Sequence, residues 1–332
     1  MQKTCSRAGE GREQALHFVK PSKEFHVLDH LTYLHDVLSF GGVLISPLYL
    51  GAFVLIAWGI YLWRGERGGF WAWLTPKDVI FNKSTGLDLW LFGIGQVAQV
   101  LGLFTRFAAT PAVAAYVSGL FSTGSSETNA FSPLWLALFL MLIGDFARYW
   151  GHRAHHTIKV IWPLHAVHHS AEVMTPVTAY RQHPLSTLLT TCLDTVIVGA
   201  LLGVLVGLFN PDMSILEIAG VNAFYLIFNL TLTNFQHSHI WVSFWPVLER
   251  IIISPAQHQV HHSTDPAHFN KNYGQTFAIW DWMFGTLYIT RPDETVTFGL
   301  DGKAEAPLMT HRLWPILWDP VRRMIALATG RV

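Results

Sequence analysis

From Val43 to Trp63 the chain runs 21 residues without a charged side chain. As a helix such a run covers about 30 Å, the hydrocarbon thickness of a bilayer, and satisfies its own backbone hydrogen bonds while doing so. That feature predicts a spanning helix and draws the rest of the chain toward a lipid environment. Composition agrees, with 51% hydrophobic and 13% charged residues, against roughly 25% charged in soluble domains. The net charge is zero and no long basic run occurs, so the electrostatic footprint that holds nucleic acid is missing. Cys5 and Cys192 are the only cysteines, too few for a disulfide framework, a thiolate zinc site or an iron–sulfur cluster. Residues 1–42 are mixed and polar, without the apolar core and cleavage site of a signal peptide, so no cleavage is expected.

Further apolar blocks follow. Asp88 to Phe121, broken by Arg106 and Pro111, is compatible with one crossing followed by a re-entrant or interfacial piece, and the sequence leaves its topology open. Pro133 to Ile143 runs into Asp145, Arg148 and Tyr149 and delivers the chain to polar surroundings. Leu185 to Phe209 and Ile215 to Thr233 form an apolar hairpin turned by Asn210-Pro211-Asp212. Two crossings return a chain to the face it left, so the segments 152–183 and 237–268 can meet on one side. Arg148, Arg153, Lys159, Arg250 and Lys271 lie on that side and the hairpin turn has no Lys or Arg, which favours the cytoplasmic face. Asp194 sits inside the hairpin, where an unpaired carboxylate is costly, so it should face protein or a polar cavity. The expected fold is all-α: an integral-membrane helical bundle of about four or more apolar spans or re-entrant segments, capped by a helical histidine-rich region.

Of the 18 histidines, most fall between His152 and His268. Three words share one spacing: His152-Arg-Ala-His155-His156, His165-Ala-Val-His168-His169 and His258-Gln-Val-His261-His262. Positions i, i+3 and i+4 share a helix face, so each word is expected to aim its imidazoles at one point. Imidazole binds iron, zinc, copper or nickel, and three words exceed the needs of one tetrahedral ion, so two metals fit better. Isolated histidines at a membrane interface need no such explanation, and His17, His26, His30, His35 and His311 are read that way. His239 and His268 are read as interfacial too.

The stretch Asp145-Phe-Ala-Arg-Tyr-Trp-Gly-His-Arg-Ala-His-His156, continued by Leu164-His-Ala-Val-His-His-Ser170, resembles the fatty acid hydroxylase and sterol desaturase superfamily of membrane di-iron enzymes. Arg181-Gln-His-Pro184, Gln236-His-Ser238, His258 to Ser263, Asn272-Tyr-Gly274 and Trp280-Asp-Trp-Met-Phe-Gly-Thr286 follow in the family's order. The resemblance implies metal-ligand roles for His152, His156, His165, His168, His169, His237, His258, His261 and His262. His183 and His155 are implied as further ligands or as outer-shell groups. Asp145, Asp265 and Asp281 are candidates to accept the free ring N–H of ligands, with helix or turn capping as the alternative. The implied divisions are a polar extension (1–42), membrane segments (43–130), a fatty acid hydroxylase-like catalytic domain (131–290) with its membrane hairpin (185–233), and a C-terminal tail (291–332).

The family implies two iron ions, O2 as co-substrate and hydroxylation or desaturation of an unactivated C–H bond in a lipid, a fatty acyl, sterol or related molecule. Neither a nucleotide-binding glycine fingerprint nor a cysteine cluster is present, so electrons must come from an external ferredoxin or cytochrome. Phe224, Tyr225 and Phe228 either face lipid or line substrate access. A bis-histidine haem protein or metal transporter would place its histidines within the apolar spans, whereas these words lie outside them. A membrane zinc hydrolase would be announced by an HExxH word, which is absent.

Overall fold

A computed structural model describes residues 43–103, 109–122, 132–209, 220–291 and 294–331. The 1–42 extension with its four histidines and the Asn210-Pro211-Asp212 turn lie outside the described residues. The expected first span is a helix, α1 (Pro47–Arg64). It starts with Pro47 in its first turn, where the missing N–H costs nothing, and stops at Gly65, whose φ of 64° admits the left-handed turn that caps the helix end. Two further helices are long and apolar enough to cross a membrane: the apolar part of α4 (Pro133–Thr157) and the whole of α6 (Pro184–Phe209). Among the described residues there are no strands, only two isolated β-bridges. The fold is thus the expected all-α membrane arrangement.

The 88–121 block divides into α2 (Lys83–Val100) and the shorter apolar α3 (Thr110–Phe121). By length and composition α2 is not among the helices apolar enough to span. Instead it buries Leu87 and Leu91 against Ala166, Val167 and Ile316, in the protein interior beside the histidines. Its Asp88 is fully buried on Arg181, which explains how an acidic residue is retained there.

Helix α3 lies directly on α6 because α6 offers no side chains along that seam. Gly199, Gly203 and Gly207 recur every four residues, and a Cβ on Gly203 would sit 2.7 Å from the Ala114 carbonyl oxygen and 2.6 Å from Val117 Cβ. Small residues at this spacing let backbones approach where no hydrophobic effect drives helices together. Helix α4 packs on both α6 and α7 (Gly220–Phe228). Within α7, Phe228 is buried and Tyr225 donates to the Met141 carbonyl at 3.3 Å, so these two rings pack on protein.

A π-turn at Asn229–Thr233 follows α7 and leads the chain to His237, a local widening of the kind often found at functional sites. Two short helices carry the remaining words, α5 (Trp162–His169) and α8 (Pro255–His261). The expected C-terminal tail contains α9 (Leu313–Ala328), which packs on α5 and buries Ile316. Large apolar side chains such as Trp63, Trp90, Trp245, Trp314 and Trp318 remain exposed, consistent with the aromatic belts that sit at a bilayer's edges.

Candidate metal centre

Helix α4 ends in His152 and His156. Helix α5 supplies His165, His168 and His169, the π-turn segment leads to His237, and α8 carries His258 and His261 with His262 at its C-cap. Helix α8 is only seven residues long, so its start must be fixed. Ser254 Oγ accepts from the Gln257 amide at 3.1 Å and Gln257 Oε1 accepts from the Ser254 amide at 2.9 Å, a reciprocal cap.

The nine rings form two groups. His152, His156, His165, His169 and His261 make one, and His168, His237, His258 and His262 the other, with the candidate ligand atoms of each within 4.8 Å of one another. The groups adjoin, since the His169 and His262 rings stack at 4.4 Å. The expectation that each word aims at one point is therefore corrected. In each word the i and i+4 rings share a group; the i+3 ring of α5 and of α8 joins the other. One residue turns a helix by about 100°, so neighbours i+3 and i+4 splay enough to serve two centres.

Ring protons are assigned by their acceptors. His152 Nδ1 lies 2.8 Å from the Tyr273 carbonyl oxygen and His261 Nδ1 2.7 Å from that of Lys271. A carbonyl only accepts, so both Nδ1 atoms carry the hydrogen and both Nε2 lone pairs point inward. The Nε2 atoms of all five members of the first group are buried without a hydrogen-bond partner in the protein. In the second, the His258 and His237 Nε2 atoms are 3.0 Å apart, and His237 and His168 Nε2 3.3 Å apart. Burial, reinforced by neighbouring imidazoles, holds the rings outside the spanning helices neutral. It takes His168 and His261 down to about 3 and His165, His169, His237, His258 and His262 well below their ordinary value. Neutral imidazole nitrogens converging in two groups fit metal cations, and an all-imidazole set suits borderline ions.

Residues 137–286, which contain all nine rings, match the family model described as fatty acid hydroxylase. Human alkylglycerol monooxygenase is 31% identical over 166 residues, 50% of this chain and 33% of that protein. The ornithine lipid hydroxylase of Rhizobium tropici is 29% identical over 278 residues, 81% of this chain and 75% of that protein. A putative Delta(7)-sterol-C5(6)-desaturase of Arabidopsis thaliana is 30% identical over 161 residues, 47% of this chain and 49% of that protein. These matches support the fatty acid hydroxylase and sterol desaturase superfamily for the part of the chain that carries the rings. It spans about a third of the length of the alkylglycerol monooxygenases it matches. No solved structure is significantly similar to it.

The three candidate carboxylates do not meet a histidine ring among the described residues. Asp145 accepts from the Thr276 and Phe277 amides and Trp280 Nε1, each at 3.0 Å. Asp281 accepts from the Tyr273 and Gly274 amides at 2.8 and 2.7 Å, and burial pushes its carboxyl up to about 6. Both clamp the loop whose Tyr273 carbonyl holds His152, so they act one step further out than expected. Asp265 caps a turn through the Ala267 amide at 2.8 Å.

His183 lies in neither group. Its Nδ1 accepts from the Leu185 amide at 3.1 Å and its Nε2 donates to the Leu317 carbonyl at 3.0 Å, so both nitrogens are engaged in starting α6 and tying it to α9. His155 joins neither group; its Nδ1 donates to the Gly151 carbonyl at 2.8 Å. His239 donates to the Trp73 carbonyl and His268 pairs with Glu294 at 2.9 Å, away from the centre. His311, read as interfacial, lies 3.0 Å from Arg181 Nη2 and from Glu172 Oε2.

Sequence reasoning missed the scaffold behind the rings. Gln182 Nε2 lies 3.1 Å from His168 Nδ1. Fully buried Arg181 donates to the Val167 and Ser170 carbonyls at 2.9 and 3.2 Å, holding the last turn of α5, and meets Asp88 at 2.7 Å. The Arg181-Gln-His-Pro184 word was the available signal, but only coordinates assign its partners. Beside the rings lies a cavity of about 440 Å³, bordered by His168, His237 and His258 at the centre and by Thr187, Thr190 and Asp194 of α6. That volume falls within the usual range for small-molecule sites.

Proposed function

We propose that this chain is a membrane-bound di-iron oxygenase that uses O2 to hydroxylate or desaturate an unactivated C–H bond of a lipid. The observation that supports it most is the pair of imidazole groups, nine rings of which seven belong to buried residues and two to half-buried ones. All nine would serve as ligands, His152, His156, His165, His169 and His261 to one iron and His168, His237, His258 and His262 to the other. When bound, such an iron pair supplies the power to reduce dioxygen and to remove hydrogen from an unactivated carbon.

The chain's own residues do the remaining work. The Tyr273 and Lys271 carbonyls keep His152 and His261 in the tautomer that offers Nε2. Arg181 and Asp281 hold the α5 turn and the 272–277 loop in place. The apolar spans and the buried ring cluster keep bulk water from the reacting carbon, which the cavity presents to the centre. Residues 131–290 form the catalytic domain, the site lies on the cytoplasmic face, and an external ferredoxin or cytochrome supplies electrons.

Purified protein is expected to hold two irons per chain without a haem absorption band. Lipid extracts of a host expressing it should show a mass gain of one oxygen or a loss of two hydrogens, and His258→Ala should abolish that product. A single zinc per chain with O2-independent ester hydrolysis would refute the reading.

A further inference from the structure

The cavity beside the metal centre has a polar wall where an alkyl-binding channel needs none. Thr187, Thr190, Thr191 and Asp194 all line it, and their spacing of i, i+3, i+4 and i+7 is one face of α6. The stripe extends about 10 Å along a helix that is otherwise apolar enough to span a bilayer. Asp194 Oδ1 is buried there without a hydrogen-bond partner, a costly arrangement that marks function more often than packing. Arg148 borders the same cavity, yet its Nη1 donates to Gln275 Oε1 at 3.1 Å, and no ion pair joins Arg148 to Asp194 among the described residues. Arg148 thus attracts Asp194 across the cavity without being its hydrogen-bond partner.

We infer that Asp194 is the headgroup acceptor of the substrate site: the molecule that fills the cavity is an amphiphile whose polar end carries hydroxyl or amine hydrogens, donated to Asp194. Arg148 faces an acceptor oxygen of the same headgroup. The inference rests on the oxygenase reading above and deepens it. The His168, His237 and His258 rings border the cavity in common with Asp194, so a headgroup anchored there fixes which carbon of the tail reaches the centre. The position of oxidation is then counted from the headgroup and not from the methyl end.

The test uses the full-length, metal-loaded protein in lipid nanodiscs and three probes: a long-chain monoalkylglycerol, a long-chain primary amine, and the di-O-methyl form of the alkylglycerol, which has no donor. Binding is read by quenching of tryptophan fluorescence. Wild type is expected to bind a donor-bearing probe at least about tenfold more tightly than the methylated one, as a hydrogen bond to a charged group provides. Asp194→Leu should equalise them, and the isosteric Asp194→Asn, which keeps the shape of the wall and an acceptor oxygen but not the charge, should weaken the amine more than the glycerol. An unchanged ratio in both variants, or no discrimination by wild type, would overturn the inference. Iron content measured on the same samples separates the two readings: loss of the metal pair from wild type counts against the oxygenase, whereas the binding ratio judges Asp194 alone.

Discussion

Removing the Asp88 carboxylate should damage this protein more than its distance from the histidines suggests. Asp88 and Arg181 are both fully buried and meet at 2.7 Å, and Asp88 Oδ2 also accepts from Thr178 at 2.7 Å. Asp88→Ala leaves a guanidinium buried without its counter-ion, a loss of about 3–5 kcal/mol. In Asp88→Leu/Arg181→Met no charge is stranded, but the Val167 and Ser170 carbonyls at the end of α5 lose their donor. Each unsatisfied buried acceptor costs about 1–3 kcal/mol. The double variant should therefore be less destabilised than the two single losses added, by at least about 2 kcal/mol, while remaining short of wild-type stability. Reversible unfolding in mixed micelles measures the stabilities, and iron content reports whether the α5 histidines stay in place. A cost below about 1 kcal/mol for Asp88→Ala, or strict additivity, would show that the pair is solvated and that Arg181 does not hold the α5 turn.

Asp281→Ala should weaken metal binding about 10- to 100-fold in a competitive chelator titration, because the loop carrying the Tyr273 carbonyl loses its clamp. Metal-free protein should lose stability as pH falls below 6.5. His168 and His261 have native values near 3, depressed from 6.5, so their contribution is present above 6.5 and is lost down to about 3. The loss is about 1.4 kcal/mol per pH unit for each such ring, measured as the unfolding midpoint against pH. Gly203→Val should destabilise the α3–α6 packing by about 1–3 kcal/mol in micelle unfolding, since even a Cβ meets the Ala114 carbonyl; wild-type stability would show that the helices part easily.

The sequence exposes what is periodic or chemically rare. The uncharged 43–63 run became α1, and the three histidine words lie where their spacing puts them, on helix ends. Helix geometry also contained the division between two groups, because i+3 and i+4 differ by one residue's rotation, but which rings converge depends on how α4, α5 and α8 cross. The outer supports were hidden for a different reason. Tyr273 and Lys271 act through backbone carbonyls, which every residue has. Asp88 falls in the block whose topology the sequence leaves open, because its partner lies 93 positions later. Asp145 and Asp281 look like ring acceptors on paper, yet amides took them first.

Because α5 and α8 each lend rings to both imidazole groups, two ions held there would be coupled through the same pair of helices. If each group held an ion, the first bound would fix rings on helices that also carry ligands of the second, so that part of the ordering cost would be met once. Occupancy should accordingly switch between empty and doubly filled, with singly loaded chains scarce at intermediate metal supply.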